Sequence, residues 1–133
     1  MDDVERYRTA QRLLTSGDPH SALQVLQPLL STLPGDTSVL LLAARAYFDT
    51  AQLEKAEQVF RTLVEADPAD HYAHAALGRT LFRRRRLTEA SAHLRIATAL
   101  DPQPWYGDCL RDAEEAIAKQ AASTLGEPAG HEE

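Results

Sequence analysis

The sequence predicts an all-α protein in which three helical hairpins form a short right-handed α-solenoid, followed by a seventh, capping helix. Apolar residues recur at helical spacing in seven stretches, and turn-forming residues separate these stretches. A pattern of alanine, bulky apolar residue and closing proline also returns every 34 residues, at 19–34, 53–68 and 87–102. Three copies at one period without an insertion argue against chance and are typical of a repeat architecture.

Length and composition restrict the class of protein. The chain has 133 residues, enough for one domain of about three short repeats with a cap. Its hydrophobic content of 44% argues against overall disorder, and its formal charge of −6 argues against a general nucleic-acid or anionic-membrane binder. The whole net charge lies in 101–133, because 1–100 contain twelve acidic and twelve basic residues.

Several features favour a cytoplasmic, bacterial protein. Cys109 is the only cysteine, which fits a reducing compartment. The start MDDVERYR lacks the basic and apolar regions of a secretory signal. The longest apolar runs, such as 39–44, are too short to insert across a bilayer. Arginine and alanine are abundant and lysine is scarce, a bias that suggests a GC-rich bacterial genome.

The first hairpin begins with a predicted helix over 4–15, whose apolar stripe is Val4, Tyr7, Ala10, Leu13 and Leu14. Gly17 suits a left-handed helix end, Asp18 a cap, and Pro19 the first turn of the next helix. That second helix is predicted over 19–32. Pro28 inside it removes a backbone donor, and so we expect a bend or a looser turn near Gln24.

The second hairpin is predicted from a helix capped by Asp36 or Thr37 and extending to about Thr50, followed by a helix over 53–66. The first of these carries one apolar face, made of Leu40, Ala43, Ala44 and Tyr47. The breaker EADPAD at 65–70 separates this hairpin from the next.

The third hairpin is predicted from helices over 71–84 and 87–100. Ala73, Leu77, Leu81 and Phe82 should face inward, and Gly78 marks a place where another helix can approach closely. A polar seventh helix over 105–123 has apolar positions at Tyr106, Leu110, Ala113, Ile117 and Ala121. We expect 126–133 to form a disordered acidic tail.

Together these marks resemble the tetratricopeptide repeat (TPR) family, whose 34-residue units are helix–turn–helix pairs. The middle unit carries them as Leu40, Ala43, Ala44, Tyr47, Ala56, Phe60, Leu63 and Pro68. The third carries them as His74, Leu77, Gly78, Leu81, Ala90, Leu94, Ala97 and Pro102. The first unit is degraded, with Arg6 and Thr9 at apolar positions.

The resemblance implies one TPR domain over 1–125, with repeats at about 3–34, 37–68 and 71–102 and a capping helix at about 105–123. If the repeat simply continued past Pro102, the apolar stripe of the capping helix would lie on the concave side of the solenoid and not against the last hairpin. We therefore expect the helix to be rotated or re-registered after Pro104, or its apolar side to serve another purpose.

In this family the inner helices line a concave groove that holds a segment of a partner. The corresponding residues here are Tyr7, Gln11, Leu14, Leu41, Arg45, Phe48, Tyr72, Arg79, Phe82 and Arg83, with Ala75, Thr15 and Asp49 in the same rows. This set predicts a non-catalytic protein–protein interaction module, adaptor or chaperone-like, for a peptide with an acidic residue beside an apolar one. In the alternative interpretation, Leu14, Leu41 and Phe48 only pack between helices, and Arg45 and Arg79 are solvated.

One binding mode of the family is not expected. The clamp with which some family members grip a C-terminal carboxylate would lie at Tyr7, Gln11, Leu42, Tyr72 and Ala76, none of which is basic.

Two other roles stay open. The protein is alternatively a structural one that forms a homodimer through its degraded first repeat or its capping helix. The acidic tail is also a candidate competitor for the arginine-lined groove.

Three further motifs have weaker functional interpretations. The run 83–86 is four arginines, which either contact phosphates or are solvated at a helix end, where cations favour the helix dipole. His71 and His74 have the spacing of two metal ligands, but surface histidines explain them without a metal. Cys109 lacks the partners of a known nucleophile motif, and no catalytic or phosphate-binding motif is present. We therefore expect no enzymatic activity, cofactor or metal.

Overall fold

The structure is a computed structural model that describes residues 1–126, and this part of the chain forms seven α-helices and no strand. The helices are α1 (Asp3–Thr15), α2 (Pro19–Thr32), α3 (Thr37–Asp49), α4 (Leu53–Ala66), α5 (His71–Arg83), α6 (Leu87–Leu100) and α7 (Pro104–Gly126). Consecutive helices fold back on each other as the pairs α1–α2, α3–α4 and α5–α6, and α7 packs on the last pair. The predicted all-α architecture of three hairpins and a cap is confirmed.

Aspartate residues fix the start of each hairpin. Asp2, Asp36 and Asp70 precede α1, α3 and α5, and each accepts a hydrogen bond from the backbone N–H three residues later. This contact satisfies an N–H group that the first turn of a helix leaves without a partner. Glu5 completes a capping box at α1.

A residue in the left-handed backbone conformation forms the turn inside each hairpin. Gly17, Ala51 and Arg85 are spaced 34 residues apart and have φ values of 87°, 61° and 64°. In each turn this residue and the next donate backbone hydrogen bonds back to the end of the preceding helix, as in Gly17 N to Leu14 O and Asp18 N to Leu13 O. These paired bonds are those of a Schellman motif. The prediction for Gly17 is confirmed, and the other two hairpins use the same turn without glycine.

The core of the described residues consists of three clusters, two that join neighbouring hairpins and one that joins the last hairpin to α7. The first connects α1, α2 and α3, the second connects α3 to α6, and the third connects α5, α6 and α7. The repeated alanines and the bulky residues four positions later are buried in all three hairpins, as Ala22, Ala56, Ala90, Leu26, Phe60 and Leu94. Because the first two clusters each draw on two hairpins and the third joins the last hairpin to α7, each unit depends on its neighbour, as in other solenoids.

Gly78 allows α5 and α6 to approach closely. A Cβ atom at this position would lie 2.7 Å from Leu94 Cγ and 3.0 Å from the Ala90 carbonyl oxygen. The close approach expected at this glycine is therefore present, and its partner is the second helix of the same hairpin.

Helix α7 caps the stack with the first half of its length. Tyr106 and Ala113 are buried against Ala75, Leu94 and Ala97, and Leu110 packs beside them. Ile117 is half-buried, whereas Ala121 is exposed, so the predicted stripe covers the last hairpin only in part. The expectation that Ala75 lines the concave groove is wrong, because α7 buries this residue completely.

One local expectation differs from the structure. Helix α7 continues past the predicted end at 123 to Gly126, the last described residue, because 121–125 contain no helix-breaking residue. Helix α2 continues through Pro28, which lies on its exposed side, and the expected bend or looser turn near Gln24 stays a prediction. The tail residues 127–133 lie outside the described part of the chain. In the described part, none of the helices has both the length and the apolar character required to cross a bilayer.

Candidate functional site

A cavity of about 200 Å³ lies between α3, α4, α5 and α7. We call it the central cavity, and its lining consists of Arg45, Phe48, Asp49, Phe60, Tyr72, Ala76, Arg79 and Trp105. Five of these residues belong to the predicted rows of the groove, namely Arg45, Phe48, Asp49, Tyr72 and Arg79. The helical period brings them together, since 45, 48 and 49 share one face of α3, and 72, 76 and 79 share one face of α5.

Arg79 is the best-positioned cation of the cavity. Its Cζ atom lies 4.5 Å from the centroid of the Phe48 ring and 5.9 Å from that of the Trp105 ring. Arg83, one turn further along α5, also lies over Phe48, at 5.0 Å. Such cation–π contacts hold a guanidinium in place without using its N–H donors.

The arginines of this region have no acidic partner within the described residues. Ion pairs are present at other arginines of residues 1–126, but Arg45, Arg79 and Arg83 form none. Asp49 lines the same cavity without pairing with them. The N–H groups of these three side chains are therefore available to a ligand that accepts hydrogen bonds, and a carboxylate matches their planar fork.

Aromatic rings form the wall of the central cavity next to α7. The Tyr72 and Trp105 rings meet edge to face with centroids 6.1 Å apart, and Trp105 meets Tyr106 in the same way at 4.6 Å. Burial raises the pKa of the Tyr72 hydroxyl, although the charges of Arg45 and Arg79 act in the opposite direction. Tyr72 therefore remains a neutral phenol at physiological pH.

The central cavity continues as a groove between α5 and α7. Two adjoining depressions, of about 190 and 570 Å³, share Phe82 and Asp112. We call this surface the α5–α7 groove and define it by Arg79, Phe82 and Arg83 of α5 with Cys109, Asp112, Glu115 and Ala116 of α7. The predicted residues Phe82 and Arg83 belong to it.

The contribution of α7 to the site is not predicted by the sequence. Trp105, Asp112 and Glu115 line the central cavity or the groove, yet none is among the predicted site residues. The repeat period contains one signal for this contribution of α7. The position 34 residues after Phe82 is Ala116, which lines the groove. The polar composition of α7 indicates a simple solvated cap instead.

The remaining predicted site residues lie elsewhere. Leu14 is buried in the first core cluster, and Leu41 is half-buried against the second. Tyr7 and Gln11 border a separate depression of about 460 Å³ between α1, the end of α2 and the start of α3. The predicted single row is therefore divided, and only its residues on α3 and α5 approach α7.

The arginine run at 83–86 is partly an ion-pair network and not only a solvated turn. Glu57, which is 6% exposed, accepts hydrogen bonds from Arg84 Nη1 at 2.8 Å and Arg86 Nη1 at 3.2 Å. Arg61 Nη2 lies 2.8 Å from both Glu57 Oε2 and Glu89 Oε2. Burial raises the pKa of Glu57, but the arginine hydrogen bonds and charges outweigh it and leave this pKa below its usual range.

The interpretation of His71 and His74 as surface histidines is wrong for His74, which is only 4% exposed. Its Nε2 donates to the Pro68 carbonyl at 2.8 Å, and its Nδ1 faces His93 Nδ1 at 3.1 Å. His71 bonds the Tyr106 hydroxyl at 2.7 Å and lies 3.3 Å from Asp101. His71 thereby joins α5 to α7, and His74 joins α5 to α6. Residues 1–126 contain no cluster of three metal-ligating side chains.

Cys109 borders the smaller depression of the groove. Burial raises the pKa of its thiol, and the charge of Arg79 only opposes this effect. The thiol is therefore protonated at neutral pH, which disfavours a role as a nucleophile.

Comparison with known proteins agrees with this architecture. A family model described as tetratricopeptide repeat matches residues 13–80, just over half of the chain. No curated protein matches the sequence significantly.

Several solved structures share the fold. The first TPR of Spaghetti (RPAP3), bound to the HSP90 peptide SRMEEVD, has a TM-score of 0.79 and 19% identity, over 86% of this chain and 92% of that one. The Sgt2 TPR domain from Aspergillus fumigatus has a TM-score of 0.79 and 17% identity, over 96% and 91%. MamA from Desulfovibrio magneticus RS-1 has a TM-score of 0.74 and 22% identity, over 96% and 78%.

Proposed function

The chain belongs to the tetratricopeptide repeat family, a family of protein-interaction modules, and we propose that it binds a segment of a partner protein in its central cavity and α5–α7 groove. One observation carries this proposal. Arg79 lies over the rings of Phe48 and Trp105, and no carboxylate of the described residues pairs with it. A cation fixed in this way, beside an aromatic wall and an open cavity, is suited to an external acidic ligand.

The chemistry of the cavity specifies the segment further. Arg45 and Arg79 offer N–H forks to one carboxylate, whereas Phe48, Tyr72 and Trp105 offer apolar contact to a neighbouring side chain. The segment therefore carries an acidic residue beside an apolar one. The protein itself serves as a cytoplasmic adaptor or chaperone-like binder without catalytic activity.

The similar structures support the binding mode but not the same ligand. The TPR of Spaghetti (RPAP3) holds a peptide from HSP90. In this chain, the positions that correspond to the family's carboxylate clamp are Tyr7, Gln11, Leu42, Tyr72 and Ala76, none of which is basic. The partner is accordingly recognised by the arginines and aromatic residues of the central cavity.

Quantitative affinity capture from an extract of the native organism tests the proposal. Arg45→Glu with Arg79→Glu reverses both cavity cations and should abolish the capture of specific partners. A matched control is Arg12→Glu with Arg95→Glu, which makes the same charge change at exposed positions outside the cavity. The control should capture the wild-type set, and circular dichroism should show unchanged helicity in both variants. Capture that survives in the Arg45/Arg79 variant would refute the proposal.

Self-association through the first repeat is a second candidate function. Val4 is 58% exposed, and with Leu33 it borders the depression of about 460 Å³ next to α1. Sedimentation should then reveal a concentration-dependent dimer that Val4→Glu abolishes. A strict monomer at high concentration excludes this candidate. Leu110 is a less suitable target for such a test, because it packs within the last cluster.

A further inference from the structure

The two walls of the α5–α7 groove carry opposite charges. Arg79 and Arg83 project from α5, and Asp112 and Glu115 project from α7. All four residues are exposed, and Phe82 lies between them as a half-buried apolar floor. The sequence predicts only the basic wall, because the acidic one comes from the helix assigned to the cap.

The opposite walls face each other without pairing. Within residues 1–126, no ion pair joins Arg79 or Arg83 to Asp112 or Glu115. Their neighbours on α7 are engaged elsewhere, since Asp108 bonds Arg111 and Glu114 lies near Arg95. Helical spacing places Asp112 and Glu115, three residues apart, on the same side of α7, and both border the groove.

The acidic wall is short. Arg85 and Lys119 border the far end of the larger depression and restore positive charge there. The acidic stretch is therefore limited to about one turn of α7, between two basic regions. This length suits one basic side chain of a bound segment.

We propose that the partner segment is bipolar, with an acidic residue against Arg79 and Arg83, an apolar residue over Phe82, and a basic residue against Asp112 and Glu115. This inference rests on the proposed function, since it concerns the ligand of the same site. A uniformly acidic segment would bring like charge against α7, and a uniformly basic one would do so against α5. Exposed ion pairs add little affinity, but avoidance of like charges gives strong selectivity.

Selection from a displayed library of random peptides tests the inference without knowledge of the natural partner. The wild-type chain should enrich peptides in which an acidic and a basic residue flank an apolar one. Asp112→Lys with Glu115→Lys should lose the preference for the basic residue and gain one for a second acidic residue. If the two proteins select the same peptides, or if wild type selects purely acidic ones, the inference is wrong.

A charge exchange with one selected peptide, synthesised separately, gives a second test. Replacing the basic residue of this peptide by glutamate should weaken its binding to the wild-type chain about tenfold, or by about 1.4 kcal/mol. The same peptide should recover most of this loss on the Asp112→Lys, Glu115→Lys variant, because the repulsion becomes attraction. An equal loss on both proteins contradicts the inference.

The same selection separates this inference from the proposed function. If Arg45→Glu with Arg79→Glu leaves the selected peptides unchanged, the groove is not the binding site, and both proposals fail. If that variant loses enrichment while Asp112→Lys with Glu115→Lys has no effect, the proposed function stands and only the bipolar ligand is refuted.

Discussion

Gly78 is the residue at which the close contact of two helices depends on the lack of a side chain. We expect Gly78→Ala to lower the free energy of unfolding by about 1–2 kcal/mol, because the new Cβ would lie 2.7 Å from Leu94 Cγ. The higher helix propensity of alanine offsets only part of this overpacking. Urea denaturation measures the change.

Gly107 provides the matched control. It also lies in a helix, but a Cβ atom there would meet nothing within 4 Å outside its own helix backbone. Gly107→Ala should therefore raise the free energy of unfolding by about 0.5–1 kcal/mol. Destabilisation of the same size by both substitutions would mean that the contact with Leu94 is not responsible.

His74 and His93 form a hydrogen-bonded pair in which protonation of His93 is unfavourable in the folded state. The Pro68 carbonyl can only accept, so His74 carries a proton on Nε2 and its Nδ1 accepts from His93 Nδ1–H when both rings are neutral. Burial lowers the pKa of His93, and the nearby His74 and Arg61 lower it further, whereas Glu89 acts in the opposite direction. The folded state thus binds protons at His93 less readily than the unfolded chain.

The pH dependence of stability follows from this lowered pKa. Above the ordinary histidine value of 6.5, His93 is neutral in both states, and its full contribution to stability is present. As the pH falls below this value, only the unfolded chain gains the proton, so stability is lost until the pH passes the folded pKa. Between pH 7 and 5.5, His93→Gln should show a smaller loss of unfolding free energy than wild type.

The exposed His20 supplies the control for this experiment. His20→Gln should keep the wild-type dependence on pH over the same interval. An unchanged slope in His93→Gln, measured by urea denaturation at each pH, would show that the pair does not couple protonation to folding.

Several residue-level predictions fail because the partners are distant in sequence. Arg84 and Arg86 reach Glu57 across 27 and 29 residues, and His74 reaches His93 across 19. A local pattern identifies a helix end or a pair of histidines, but it does not specify which side chain a neighbouring helix presents. Gly78 is predictable because its partner belongs to the repeat itself.

At the level of elements, helix boundaries are predictable wherever the turn contains a signal. Asp36 and Asp70 cap the helices that follow them, and Gly17 adopts the expected left-handed conformation. Ala51 and Arg85 adopt the same conformation without any sequence signal of their own, since the period of 34 residues alone relates them to Gly17. Helix α7 continues to Gly126, past the predicted end at 123, and 121–125 contain no signal that would end it.

The turn between α3 and α4 gives a prediction at this scale. Ala51 is exposed with a φ of 61°, a conformation that costs a residue with a side chain about 1–2 kcal/mol. Ala51→Gly removes this cost, although glycine gains entropy in the unfolded chain. We expect a net gain of about 0.5–1 kcal/mol in the free energy of unfolding, measured by thermal or urea denaturation.

The first hairpin offers the reverse substitution. Gly17 has a φ of 87°, and a Cβ atom added to it would meet nothing within 4 Å, so steric contact does not complicate the comparison. Gly17→Ala should destabilise the protein by a similar amount. A loss of stability in Ala51→Gly would contradict the view that this turn stores strain.

At the scale of the molecule, the stack assembles the site from separate units. The central cavity takes its walls from α3, α4, α5 and α7, which belong to the second hairpin, the third hairpin and the cap. The repeat period predicts the contributions of α3 and α5, because equivalent positions of successive repeats line one surface. The repeat period does not predict how α7 packs. A continued repeat would place the apolar stripe of α7 on the concave side, whereas Tyr106 and Ala113 of this stripe are buried.

The division of the predicted groove also arises at this scale. Tyr7 and Gln11 occupy positions equivalent to groove residues of later repeats, yet they border a different depression, next to Val4 and Leu33. Successive repeats thus present similar positions to different neighbours, and the cap adds a wall at the α3–α5–α7 end. A repeat pattern identifies the surface but not the part of it that is enclosed.

The most direct test of the binding surface is site-specific photo-cross-linking in an extract of the native organism. A benzophenone amino acid at Phe82 places the reactive group in the α5–α7 groove, and the same group at the exposed Gln58 of α4 serves as the control. We predict discrete adducts with a partner protein from position 82, which disappear when Arg45→Glu and Arg79→Glu are added, and no such adducts from position 58. Adducts that persist in the charge-reversed variant, or that form only from position 58, would contradict the assignment of the groove as the binding site.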